Sequence, residues 1–214
     1  SRYISENGWN RHNIAAGLRT YSLSPPGKPI ELTSSEIRKL CASAKSNSYN
    51  GERDYAILQT LLQCGLRLNE ICRLLIRDLT LKGTKPHIRV EASKQGYGRS
   101  VPLNATVKRA LNQYLKVRGE TSGQAPLFLS TQNKPISAKT IQYLIKKHFC
   151  AIGRPELSVN DIRQHYALSL FDQSGGDLSA VQQLMGHRNI VTTARYVRLS
   201  QRDMGDVLEK VGKG

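Results

Sequence analysis

The chain has 214 residues, 39% of them hydrophobic, with 32 Lys+Arg against 16 Asp+Glu for a formal net charge of +16. That length buries one good core, and the ordinary apolar content excludes a disordered polyelectrolyte. The surplus positive charge suits a polyanion, because basic side chains bound to phosphates release condensed counterions. Nucleic acid is therefore the leading partner. A membrane surface is disfavoured, since Trp9 is the only tryptophan and basic membrane-binding helices carry Trp, Phe and Leu opposite their charge. No apolar run approaches the roughly 20 residues of a membrane span, and no signal-peptide pattern opens the chain. Cys41, Cys64, Cys72 and Cys150 form no C-x-x-C pair and lie in apolar-periodic segments. They are expected to be reduced core residues rather than zinc ligands or disulfide partners.

Residues 1–21 read as the end of something upstream, and residues 22–32, with three of the 8 prolines, as an extended linker. Thr33 with Glu36 makes a capping box, and Ile37, Leu40, Cys41 and Ala44 follow at helical spacing, so a helix starts there. A second helix is predicted from about Arg53 to Cys64, with Ile57, Leu58, Leu61 and Leu62 inward and Gly65 as a left-handed cap. A third begins near Asn69, which leaves Arg67 in a tight junction between helices, where a side chain is aimed from a rigid scaffold.

His87 to Glu91 and Arg99 to Leu103 alternate apolar and polar residues around Lys94-Gln95-Gly96-Tyr97-Gly98, a hairpin signature with Lys94 near its tip. From Asn104 the chain reads as helical at about 105–118, about 138–149 after Ser137, and 159–174 capped by Ser158 with Asp161. Gly175 and Gly176 end the last of these, Asp177 caps a short helix closed by Gly186, and another helix starts near Ile190. Ser200 with Asp203 opens a final helix whose stripe of Met204, Val207, Leu208 and Val211 reads as a tucked core face. The pattern is mainly α with a small antiparallel β-sheet.

Four boxes in this order resemble the tyrosine recombinase or phage integrase family. Gly65-Leu66-Arg67 with Glu70 is similar to its G-L-R-x-x-E box. Lys94 to Leu103 resembles its hairpin lysine and the strand after it. Asn160-Asp161-Ile162-Arg163 aligns with its H-x-L-R box. Leu184 to His187, with Thr193 and Tyr196, resembles its L-G-H box and nucleophile tyrosine. The resemblance covers about Leu32 to Leu199, and four ordered boxes are far more specific than any one.

It implies the catalytic-domain fold of DNA breaking-rejoining enzymes over 33–199. It further implies a core-binding domain upstream that ends in residues 1–32, and a C-terminal helix at 200–214 that packs on a neighbouring protomer. The implied activity is site-specific strand exchange through a 3′-phosphotyrosine and a Holliday junction, in a cytoplasmic, DNA-associated protein. The implied partners are duplex DNA at recombination sites, three further copies in a tetramer and an accessory directionality protein, with no metal, ATP or other cofactor.

The chemistry explains the residue set. Tyr196 supplies the phenol that forms and releases the phosphate ester. Arg67 and Arg163 offer planar guanidinium groups that stabilise the extra charge of a pentavalent phosphate. His187 donates a hydrogen bond to that phosphate or helps remove the phenol proton, and Lys94 protonates the departing 5′ oxygen. Asn160 departs from the family pattern, which places histidine there; an amide still hydrogen-bonds phosphate but exchanges no proton near neutral pH. Gln164 likewise stands where a second histidine is common, and His165 is assigned no role.

Arg99, Lys139, Lys146, Lys147 and Arg188 are expected to contact DNA. Singly, each residue has a plainer reading. Tyr196 packs, Lys94 and the lysines form solvated surface, His187 bonds the last helix carbonyls, and Asn160 starts a helix. A relaxing type IB topoisomerase and a catalytically silent DNA-binding relative are the alternative functions.

Overall fold

A computed structural model describes residues 32–46, 50–93, 97–119, 122–190 and 192–193. Lys94, Tyr196, the upstream segment and linker before Leu32, and the C-terminal stripe from Met204 to Val211 lie outside the described residues.

The first helix, α1 (Ser34–Lys45), begins at the expected capping box, with Thr33 Oγ1 accepting from the Glu36 amide and the Glu36 carboxylate accepting from the Thr33 amide. The next, α2 (Gly51–Cys64), is the centre of the fold. Its apolar face was expected to point one way, yet every residue from Ala56 to Leu62 is buried, including Gln59 and Thr60. The reason is that α1, α4 (Ala105–Arg118) and α6 (Val159–Gln173) all pack against it. Two of its buried donors are served locally, Thr60 Oγ1 by Ala56 O at 2.8 Å and Gln59 Nε2 by Cys41 Sγ at 3.1 Å, while Gln59 Oε1 finds no hydrogen-bond partner among the described residues. Burying a hydroxyl or amide without such a partner costs about 1–3 kcal/mol.

After α3 (Leu68–Arg73), a 3-10 turn leads into a three-stranded antiparallel sheet, β1 (Leu79–Thr80), β2 (His87–Val90) and β3 (Arg99–Pro102), in that order across the sheet. The hairpin register pairs Ile88 with Val101 and Val90 with Arg99, which puts Ile88, Val90 and Val101 on the buried face. Strand β1, absent from the sequence reading, is two residues long and pairs Leu79 with Ile88. A segment that short carries no alternation to recognise.

The remaining helices are α5 (Ala138–Ala151) and α7 (Leu178–Met185). Helix α5 buries Ile141, Leu144, Ile145, His148 and Phe149 and turns Lys139, Gln142, Tyr143, Lys146 and Lys147 outward, the i, i+3, i+4 division of an amphipathic helix. Helix α7 leans on α6 through a satellite core of Ala167, Val181 and Met185. Of the four cysteines, Cys64 is fully buried, Cys41 and Cys72 are half-buried, and Cys150 is exposed, contrary to the expectation for it. It falls on the outer side of the last turn of α5, next to buried Phe149.

Candidate active site

The first arginine owes its position to the junction before it. Gly65 closes α2 in the left-handed conformation, with φ 54°. A Cβ there would lie 2.1 Å from Tyr166 Cδ1 on α6, so only glycine combines the turn with this approach. The chain turns and Arg67 becomes the residue before α3. Its backbone amide donates to Glu70 Oε2 at 2.7 Å, its Nη1 to Glu70 Oε1 at 2.9 Å, and its Nη2 to Gly186 O at 3.0 Å.

Arg163 sits one turn into α6 and is 4% exposed. Its Nη1 donates to Gly65 O, and its Nη2 donates to Met185 O at 2.8 Å and to His187 Nε2 at 3.0 Å. The two arginines thus meet at both glycine turns: Gly65 O binds Arg163, and Gly186 O binds Arg67. Gly186, with φ 65°, caps α7 and delivers His187 to Arg163.

A guanidinium can only donate, so His187 Nε2 accepts, and the ring proton lies on Nδ1, which faces Thr193 Oγ1 at 2.9 Å. Burial first, then the charges of Arg163, Arg67 and Arg99, lower the His187 pKa to about 4. The imidazole is neutral at physiological pH, the form that can accept a proton.

Glu70 carries the balancing charge. Burial alone would raise its pKa, but the hydrogen bond and charge of Arg99, with further help from Arg67, hold it below its usual value. Arg99, expected to contact DNA, is instead turned inward with its side chain 7% exposed, paired with Glu70 at 2.9 Å. Its donors go to a carboxylate and a carbonyl of the protein, and unlike Arg67 and Arg163 it is not part of the lining of the main basic cleft.

The site opens on a cleft of about 910 Å³ walled by Arg67, Arg163, Asn160, Lys139 and Lys146 among others. Of its lining residues, seven are basic (Arg67, Arg73, Arg77, Arg89, Lys139, Lys146, Arg163) and three acidic (Glu70, Asp78, Glu91), a balance that draws an anion. Asn160 is exposed in the first turn of α6, on the same wall as Arg163. Lys146 lines the cleft but its ammonium also donates to Pro155 O. Lys147 is exposed and lies outside the cleft lining. Arg188, exposed, donates to Ser93 O at 3.1 Å and lies 5.5 Å from the centre of the Tyr97 ring, so it ties the turn after α7 to the β2–β3 hairpin.

Sequence reading gave no role to Glu70 beyond its place in a box, and it passed over Tyr143, which is 73% exposed on the cleft wall. Spacing offered a signal for both: Glu70 stands three residues after Arg67 at a helix start, and Tyr143 stands four after Lys139 on one helical face. Tyr166 also lies beside the arginines, but burial, then the neighbouring Cys64, pushes its phenol up to about 12. Its ring packs against the Gly65 turn. Among the described residues no three of His, Cys, Asp and Glu are grouped to hold a metal ion, and no helix is long and apolar enough to cross a membrane.

A helical domain with a three-stranded antiparallel sheet and two arginines gathered on a basic cleft is the architecture of tyrosine recombinase catalytic domains. The solved XerA recombinase superposes with a TM-score of 0.70 at 28% identity, over 85% of this chain and 65% of that one. The Phage integrase family pattern matches residues 31–202, and the chain belongs to that family. Its relatives include the tyrosine recombinase XerC of Pelobacter propionicus, 31% identical over 85% of this chain and 59% of the relative. XerC of Caldanaerobacter subterraneus subsp. tengcongensis is 34% identical over 85% of this chain and 51% of its own length. The chain thus spans between half and three fifths of the length of these two relatives.

Proposed function

We propose that this chain carries the catalytic centre of a site-specific DNA recombinase that cuts and rejoins strands through a 3′-phosphotyrosine. The observation that carries the reading is the convergence of Arg67, Arg163 and His187. They come from three separate boxes of the sequence, and they are joined through Gly186 O at 3.0 Å, Met185 O at 2.8 Å and a 3.0 Å contact between Arg163 and His187. Two guanidiniums on a basic cleft complement the dianionic charge of a pentavalent phosphate more strongly than the monoanionic ground state, and a difference of that kind lowers a barrier.

In this reading the scissile phosphate enters the cleft and its nonbridging oxygens take donors from Arg67 and Arg163. Once a phosphate oxygen takes the Arg163 donor, the His187 Nε2 lone pair is released and accepts the phenol proton of Tyr196. The Tyr196 oxygen bonds to phosphorus, the bond from phosphorus to the 5′ oxygen breaks, and Lys94 protonates the leaving oxygen. Attack by a partner strand's 5′ hydroxyl reverses these steps and joins the new strand. The ester retains the bond energy, so no nucleotide cofactor is required. Asn160 hydrogen-bonds a phosphate oxygen without exchanging a proton, and the exposed Lys139, Lys147 and Arg188 follow the DNA backbone. Exchange between two sites uses four copies of the chain, with an accessory protein setting direction, on DNA in the cytoplasm. The solved relatives support DNA as the substrate: one is a XerH recombinase bound to a palindromic difH substrate after cleavage.

The test is a covalent-adduct assay on candidate attachment-site DNA carrying a nick that traps the cleaved strand. The wild-type chain is expected to form an adduct and Tyr196→Phe none. An adduct that survives Tyr196→Phe removes the proposed nucleophile, and tight DNA binding without any adduct identifies a catalytically silent relative.

A further inference from the structure

Arg99 opens β3, yet its side chain reaches two other elements. Its Nε donates to Leu184 O in the last turn of α7 at 2.8 Å, and Nη1 and Nη2 each donate to one Glu70 oxygen at 2.9 Å. The Gly186 turn rests directly on the guanidinium, because a Cβ at Gly186 would lie 2.6 Å from Arg99 Nη1. Arg67 donates to Glu70 Oε1 and to Gly186 O, and Arg99 touches the residue that carries each of these acceptors. The same turn provides Met185 O and His187 to Arg163.

We propose that Arg99 is a positioning residue that locks Glu70 and the turn from Leu184 to His187 in one relative placement, and so aims Arg67 and Arg163 without touching DNA. The proposal rests on the functional reading above. Its physical basis is the shape of the guanidinium. A planar fork grips both carboxylate oxygens and still offers Nε to a third acceptor, whereas an ammonium is a point donor that cannot hold this geometry. Stability is a weak motive for such a buried pair, since an apolar replacement of similar volume is often neutral. Fixing an orientation is a use that only this geometry serves.

Full-length wild type, Arg99→Lys and Arg99→Met are compared for single-turnover adduct formation at saturating DNA, for Kd across a salt series, for thermal melting, and for the Arg67 Nε–H resonance. In both variants the adduct rate is expected to fall about 10²-fold, the scale of a misplacement of about 1 Å. Kd and its salt slope stay unchanged, and the Arg67 resonance broadens as its guanidinium samples several orientations. A salt slope reduced by about one, with weaker Kd and an unchanged rate, makes Arg99 a phosphate contact and overturns the proposal. So does an unchanged rate, a rate loss that tracks the unfolded fraction, or a sharp Arg67 resonance in Arg99→Lys. If Arg99→Met does not fold, Arg99→Lys decides, because it keeps the charge opposite Glu70. The Arg67 resonance is read even where wild type forms no adduct, so failure of the functional reading is distinct from failure of this one.

Discussion

Gly65→Ala isolates the junction that holds the first arginine. The added methyl meets two penalties: a left-handed φ of 54° and an approach of 2.1 Å to Tyr166 Cδ1 and 2.4 Å to Cε1. The conformational penalty is about 1–2 kcal/mol for an L-residue, and overpacking of a ring that must move adds about 1–3 kcal/mol. Gly119→Ala supplies the control, because its φ is 75° and a Cβ there has nothing within 4 Å. It suffers the first penalty alone. The expected losses are about 2–5 kcal/mol for Gly65→Ala and about 1–2 kcal/mol for Gly119→Ala. For a domain of this size each kcal/mol lowers Tm by about 2–4 °C. Calorimetric or circular-dichroism melts of the two variants therefore separate by several degrees. Gly65 O is also an acceptor for Arg163, so adduct formation falls in Gly65→Ala beyond what its folded fraction explains, and does not in Gly119→Ala. Equal melting points for the two variants would refute the reasoning, since the clash with Tyr166 is what separates their expected stabilities.

Asn160 is exposed on the cleft wall. Asn160→Ala is expected to lower the adduct rate about tenfold, from loss of one hydrogen bond to a charged oxygen, while stability changes by less than about 0.5 kcal/mol. A loss of stability with no loss of rate would make it a helix-start residue only. The pH dependence of folding is set in part by His187. Its folded pKa of about 4 lies below the ordinary 6.5, so between these values the unfolded chain binds a proton that the fold does not. Stability is therefore full above 6.5 and declines as pH falls toward 4, by about 3 kcal/mol for this residue. Buried His148, whose pKa is also lowered by desolvation, acts in the same direction. Urea midpoints that stay flat from pH 7 to pH 5 would contradict both assignments.

What could be read from the residues in order was the short-range part. The capping boxes at Thr33 with Glu36 and Ser158 with Asp161, the Asp177 cap and the left-handed glycines at 65 and 186 all appear where the sequence placed them. So does the hairpin of β2 and β3. Each depends on neighbours a few residues apart, so local chemistry suffices. The four boxes were legible for a different reason, their order and their unusual residues.

Only the packed structure decided where the arginine donors go. Arg163 reaches Gly65 O across 98 positions, Arg67 reaches Gly186 O across 119, and Arg99 reaches Leu184 O across 85. Those separations close because α6 and α7 pack together and α6 lies against the central helix, a result of burying apolar surface that no local pattern encodes. The same packing turned the Arg99 side chain inward onto Glu70 and left Cys150 on the outside of its helix. Residue identity settled which chemical groups the protein owns, and the order of the boxes settled its family. The direction in which each cation points was settled by helices meeting, because a long side chain takes its geometry from the acceptors that the fold brings within reach.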